Sequence, residues 1–187
     1  MTHRQPGPAT KGLSARSLTA WWDQHRVLGS TTRDEITIDA PPEIVWSVYT
    51  DVEQWALWTA SVTAARLHPS EPLQLGTAAS IKQPWLPRVV WTVVELEPGR
   101  SWTWQNRSPG ADTVAHHTVT PRPDGRVHVA LSIDQRGVVG RPIGWLLRPL
   151  TRRYLRLEAE GLRRRSETCS VDDSSGPSPS RRDADRS

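Results

Sequence analysis

The chain has 187 residues and one cysteine, Cys169, so it is long enough for one domain with a proper core and can form no internal disulfide. Its formal charge of +4 comes from 22 Arg and only 2 Lys against 20 acids, and seven of the arginines fall between Arg148 and Arg165. No run of 18 apolar residues exists to span a membrane, the first thirty residues lack the apolar stretch and cleavage site of a secretory signal, and aromatic residues are not interleaved with the arginines as nucleic-acid stacking requires.

Those exclusions are compatible with a cytoplasmic protein and speak against a nucleic-acid partner. Residues 1–32, rich in Pro, Gly, Ser, Thr and Arg, read as a disordered or partly helical tail, with a short helix around Leu18–Val27 able to dock Trp21 or Trp22 on the domain. A first strand follows at Asp34–Asp39, where Ile36 and Ile38 share one face, and Ala40-Pro41-Pro42 stops it. Pro42 or Glu43 then opens a helix through Tyr49, with Asp39 as the capping candidate and Ile44, Val45, Val48 and Tyr49 as its inner stripe. A second short helix at Val52–Trp58 sets Trp55 and Trp58 three residues apart on one side, with Asp51 and Glu53 as surface or capping residues.

The period then changes from helical to two. Strands are expected at Val62–Leu67, Thr77–Lys82, Val89–Leu96, Ser101–Asn106, Thr113–Thr120 and Arg126–Asp134, joined by turns at Pro98-Gly99, Pro109-Gly110 and Pro123-Asp124-Gly125. Connections this short make the sheet antiparallel with one apolar face. The last segment, Gly140–Glu167, is an amphipathic helix. At about 100° per residue, Ile143, Leu146, Leu147, Leu150, Tyr154, Leu157 and Gly161 fall within an arc of roughly 100°, opposite Arg148, Arg152, Arg156 and Arg163. Pro149 removes one bond from its interior, which predicts a kink or a restart. Residues 168–187, almost without apolar side chains, read as a disordered tail. The element order is α+β: a curved seven-stranded antiparallel sheet around a long C-terminal helix, with two short helices between strands 1 and 2.

Four stretches carry a resemblance to a known family: ITIDAPPEIVWSVYTDVEQWALWTASV at 36–62, Leu73-x-x-Gly76-Thr77, WTVVELEPGRSWTWQ at 91–105, and RPIGWLLRPLTRRYLRLEAEGLRRR at 141–165. With them the chain resembles the SRPBCC superfamily, the helix-grip fold of START-type and polyketide cyclase/dehydrase-like proteins, over residues 33–167. The resemblance implies a cavity between the sheet and the long helix, closed at one end by the short helices. It is weakly specific for activity, because function on such a framework depends on the pocket lining.

Ten Trp, two Tyr and no Phe give that lining an unusual character. Strand parity places Trp91, Trp102, Trp104, Asn106, His117 and Leu131 on the face toward the helix. Leu146, Leu150, Tyr154 and Leu157 face them from the helix, and Trp55 and Trp58 roof the space. Each tryptophan taken singly is ordinary core, but facing tryptophans on adjacent strands suit a cleft for planar or lipid-like molecules. The leading expectation is a carrier or sensor of a hydrophobic small molecule, lipid- or polyketide-like. The alternative is a polyketide cyclase or dehydratase using His117 or Tyr154 as acid or base. His116 and His117 diverge on a strand and no second ligand cluster accompanies them, so neither a metal nor another cofactor is expected. A weak contact of Arg148, Arg152, Arg156 and Arg163 with an anionic membrane surface is a secondary expectation.

Overall fold

The computed structural model describes residues 30–69 and 72–174. The expected helix at Leu18–Val27, and most of both expected tails, lie outside the described residues. The chain runs β1 (Ser30–Ile38), α1 (Pro42–Thr50), a 3-10 turn (Val52–Gln54), α2 (Trp55–Trp58), β2 (Ala64–His68), β3 (Ala78–Lys82), β4 (Val89–Glu97), β5 (Ser101–Ser108), β6 (Ala111–Pro121), β7 (Val127–Arg136) and α3 (Gly140–Ser174). β1 therefore begins inside the segment expected as tail, and α3 continues seven residues past the expected end at Glu167.

All seven strands form one antiparallel sheet in the order β1-β7-β6-β5-β4-β3-β2. Six strands follow one another by hairpin-scale connections, while β1 returns to the last strand, so the two short helices cross from one edge of the sheet to the other. The alternation in β7 fixes which face is apolar: Val127, Val129 and Leu131 are fully buried, and His117 and Val119 stand opposite Leu131 and Val129. Trp102 pairs with His117 and Trp104 with Ala115 on the next strand. Val45 and Tyr49 of α1, with Val52 and Trp55, cover this face from above. Asp39 does not cap α1; Pro41 holds the cap position and Pro42 takes the first turn, where a missing N–H costs nothing. The Asp39 N–H is instead directed to Glu167 Oε1 at 3.2 Å.

The seat of α3 departs from the sequence expectation. Apart from its glycines, the residues it buries are Leu155, Glu158, Ala159, Leu162 and Ser166, beside Tyr154, and this set is turned by about 100° from the Leu-rich stripe. Leu155, Ala159 and Leu162 belong to the central apolar cluster, whereas Leu147, Leu150 and Leu157 stay half-buried and Leu146 is 69 % exposed. Gly161 permits this seat: a Cβ there would collide with the carbonyl oxygen of Trp58 and the ring of the same residue. Likewise a Cβ at Gly144 would overlap the Gln135 side chain, which brings the first turns of α3 close against β7. The helix continues through Pro149 without a restart. Pro149 cannot serve the carbonyl of Trp145, but Trp145 is exposed, where water can take the bond.

Candidate functional site

His117 lies at the centre of the aromatic interior. Its imidazole stacks on the Trp102 ring with centroids 4.2 Å apart and planes 11° apart, while the edges of Trp104 and Tyr49 close on it at 5.3 and 5.4 Å. Trp55 bridges the rings of Trp58 and Trp104 at 5.6 and 5.4 Å, and Trp91 stacks on Trp104 at 5.6 Å. Trp55, Trp58, Trp91, Trp102, Trp104 and His117 are thus brought together. The register explains it, because inward positions of β4, β5 and β6 lie side by side.

Glu158 of α3 completes the cluster, and sequence reasoning missed it. The Tyr49 hydroxyl donates to Glu158 Oε1 at 3.0 Å, and His117 Nε2 lies 3.7 Å from the same oxygen. Trp55 Nε1 holds the backbone of Tyr49 by donating to its carbonyl at 3.0 Å. Burial dominates the electrostatics. Desolvation pushes the Glu158 carboxyl up to about 7, against the opposing Tyr49 hydrogen bond, and pushes the His117 imidazole down to about 3, aided by the neighbouring His116. Tyr49 is raised well above its ordinary value, first by burial and then by the Glu158 charge. His117 is therefore neutral near pH 7, and its approach to Glu158 is a contact with a neutral ring rather than an ion pair. A carboxyl that titrates near neutrality inside an aromatic cage can give or take a proton.

Asn106 and Tyr154 take other positions. Asn106 Nδ2 donates to the Val90 carbonyl at 2.8 Å, clamping the β4–β5 edge, and the Tyr154 hydroxyl donates to the Pro84 carbonyl. Tyr154 thereby ties α3 to the β3–β4 loop. Leu131 backs His117 across the β6–β7 register, and Leu150 and Leu157 flank Tyr154 half-buried on α3. Two buried indole donors, Trp58 Nε1 and Trp102 Nε1, have no hydrogen-bond partner among the described residues. Glu53 accepts the Leu67 N–H at 3.0 Å and so fixes β2 to the 3-10 turn. Among the described residues, no group of three or more His, Cys, Asp or Glu is placed to hold a metal ion, and no helix is long and apolar enough to cross a membrane.

A seven-stranded antiparallel sheet gripping a terminal helix, with two short helices inserted after the first strand, defines the helix-grip class of the SRPBCC superfamily. Within it the chain belongs to the family described as polyketide cyclase / dehydrase and lipid transport, whose model matches residues 30–167. Among solved structures it is similar to the ZhuI aromatase/cyclase from Streptomyces sp. R1128, at 16 % identity and TM-score 0.64, covering 80 % of this chain and 99 % of that one. It is also similar to norcoclaurine synthase from Thalictrum flavum, at 11 % identity and TM-score 0.59 over 79 % and 98 % of the two chains. A START superfamily protein from Mycobacterium smegmatis matches at 11 % identity and TM-score 0.52 over 76 % and 97 %. Identities this low carry the fold alone. No curated protein matches the chain in sequence.

Proposed function

We propose that the protein binds a hydrophobic small molecule, lipid- or polyketide-like, between the sheet and α3, as a carrier or sensor. The observation that carries this reading is the unused apolar stripe of α3. That helix makes its principal contacts with β1, β7, β6 and the short helices, leaving Leu147, Leu150 and Leu157 half-buried outside the central apolar cluster. Trp91 of β4, Ile133 of β7 and Trp58 of α2 are likewise half-buried at the margin of that cluster. Half-buried apolar surface of this kind is what an oily ligand covers. Burying about 300 Å² of ligand would contribute about 7 kcal/mol gross at about 25 cal/mol per Å², less about 4 or more for association, so affinity would be modest and permissive.

Native mass spectrometry of the full chain purified from its own host tests the reading. A retained small molecule that is lost in a Trp91→Ala, Leu150→Ala variant is the expected result. A bare wild-type mass, together with no change in tryptophan fluorescence on titration with long-chain fatty acids and flat polycyclic probes, would remove it.

One observation favours a second reading, acid/base catalysis of a cyclase or dehydratase type: the Tyr49–Glu158–His117 cluster. It shifts the candidate chemistry from Tyr154 to Glu158, because the Tyr154 hydroxyl is held by the β3–β4 loop. Turnover of a poly-β-ketone surrogate with a pH profile bending near 7, abolished in Glu158→Gln, supports it. Equal rates in wild type and Glu158→Gln would sink it.

A further inference from the structure

One end of the domain carries apolar side chains that stand uncovered among the described residues. The register defines this end: Val90 meets Asn106, Arg107 pairs with Asp112, Asp112 with Arg136, and Gln135 with Ser30. The β3–β4 loop, the β5–β6 turn, the β7–α3 junction and the start of α3 therefore form a single rim, and Gly140 joins it through its N–H to the Gly110 carbonyl at 3.2 Å. On this rim Trp85 is 90 % exposed, Val138 87 % and Trp145 74 %, with Leu146, Val90 and Ile143 also exposed. Trp85 is held at φ 65°, a left-handed conformation that costs a bulky side chain free energy and turns its ring outward.

The charge of the rim is predominantly positive. Arg88, Arg107, Arg141, Arg148, Arg152 and Arg153 surround the apolar residues and are all exposed. No acid occurs from Gln83 to Val94 or from Gln135 to Leu157. The two carboxylates at the rim are engaged: Asp112 accepts both bonds from the Gln105 amide at 2.7 and 2.8 Å, and Asp134 accepts the Thr31 hydroxyl at 2.6 Å beside Arg136 at 3.7 Å. An open cleft of about 790 Å³ between the start of β1 and the start of α3 is lined by Thr31, Val138, Arg141, Trp145 and Arg148. Two guanidiniums flanking an exposed indole there suit a phosphodiester group, with the indole at the depth of lipid glycerol.

We propose that this end of the domain, Trp85, Val138, Trp145 and Leu146 within their ring of arginines, docks on an anionic lipid bilayer. A protein partner would need carboxylates of matching geometry for six arginines, whereas a bilayer surface supplies diffuse negative charge and an apolar layer for protruding rings together. The proposal goes beyond the ligand reading and does not depend on it.

Co-flotation of the full chain with vesicles of phosphatidylcholine alone, or mixed with phosphatidylglycerol, tests it. Binding is expected only to the mixed vesicles, and is lost in about 1 M salt, where the Debye length falls to about 3 Å. Arg141→Glu with Arg148→Glu should weaken it by about tenfold or more, and Trp145→Glu with Leu146→Glu should abolish it. Leu75→Glu, at an exposed site beyond the opposite end of β3, should bind like wild type. Circular dichroism of each variant checks that the exposed substitutions leave the fold intact. Equal binding to both vesicle types, no binding to either, or an unaffected Trp145→Glu, Leu146→Glu variant would overturn the proposal. So would a dimer, seen by light scattering, that this variant dissociates. A protein that retains a small molecule yet ignores vesicles would overturn the docking surface and leave the ligand reading standing.

Discussion

The two halves of α3 obey different rules although they share a sequence style of leucine and arginine. From Tyr154 to Ser166 the helix is seated, with Leu155, Ala159 and Leu162 in the core and Gly161 letting the backbone meet Trp58. From Gly140 to Leu150 the leucines stay partly or wholly outside, while Gly140 and Gly144 lie close against the sheet. The contrast teaches that amphipathicity does not say which face is buried. What decides is the partner: α1 and α2 meet the second half at Tyr49 and Trp58, and near the first half the sheet offers close contact at Ala111 and the Gln135 side chain rather than an apolar seat.

The sharpest break between the halves is a pair of identical truncations. Leu162 is fully buried, so Leu162→Ala should cost about 4 kcal/mol, the lost transfer energy plus the cavity. Leu146→Ala, at a 69 % exposed position, should stay within about 0.5 kcal/mol in urea unfolding. Equal losses would mean that the first half is seated as firmly as the second.

A pH series sharpens the same contrast, because the seated half carries the buried acid. In the folded chain Glu158 titrates at about 7 instead of 4.5, so its protonated form favours folding, and that stability is present below 4.5 and fades as pH rises to 7. His117 titrates at about 3 instead of 6.5, so its share has the opposite sign and grows as pH rises from 3 to 6.5. Between 4.5 and 6.5 the two slopes oppose one another and wild-type stability should be nearly flat. Glu158→Gln leaves only the imidazole, so its stability should climb by about 2 to 3 kcal/mol across that window. A flat profile in Glu158→Gln would show that His117 is not held neutral by burial.

How much of this was legible in the sequence follows from the range of each signal. Period-two alternation is local, so Val127, Val129 and Leu131 announced the inward face of β7, and parity then placed Trp102, Trp104 and His117 correctly on their strands. Turn residues were local too, and Gly99, Gly110 and Gly125 all take positive φ. The seat of α3 was not local. A second stripe, Leu155, Ala159, Leu162 and Ser166 at spacings of three and four, was present in the sequence but less apolar than the leucine stripe, and its advantage lies in what it meets. Glu158 was invisible for the same reason: a carboxylate between arginines reads as solvated until its partner, Tyr49, arrives from 109 residues away. Asn106 and Tyr154 were placed near the pocket by parity and periodicity, and nothing local reveals that backbone carbonyls of Val90 and Pro84 take their polar groups.

The smallest effect isolates one bond of the seated half. Tyr49→Phe keeps the ring, with its edge against Trp102 at 4.5 Å and its stacking on Trp55 at 5.8 Å, and removes only the donor to Glu158. At pH 5 the carboxyl is protonated and a neutral hydrogen bond is lost, worth about 1 kcal/mol. At pH 8 the carboxylate loses a charge-assisted donor, so the cost should roughly double, and the Glu158 titration should move further above 7 because the hydrogen bond that lowered it has gone. Urea unfolding of wild type and Tyr49→Phe at the two pH values reads the difference directly. A cost that is the same at both would mean that Glu158 keeps one protonation state across the range, and acid/base chemistry at this cluster would then lose its physical basis.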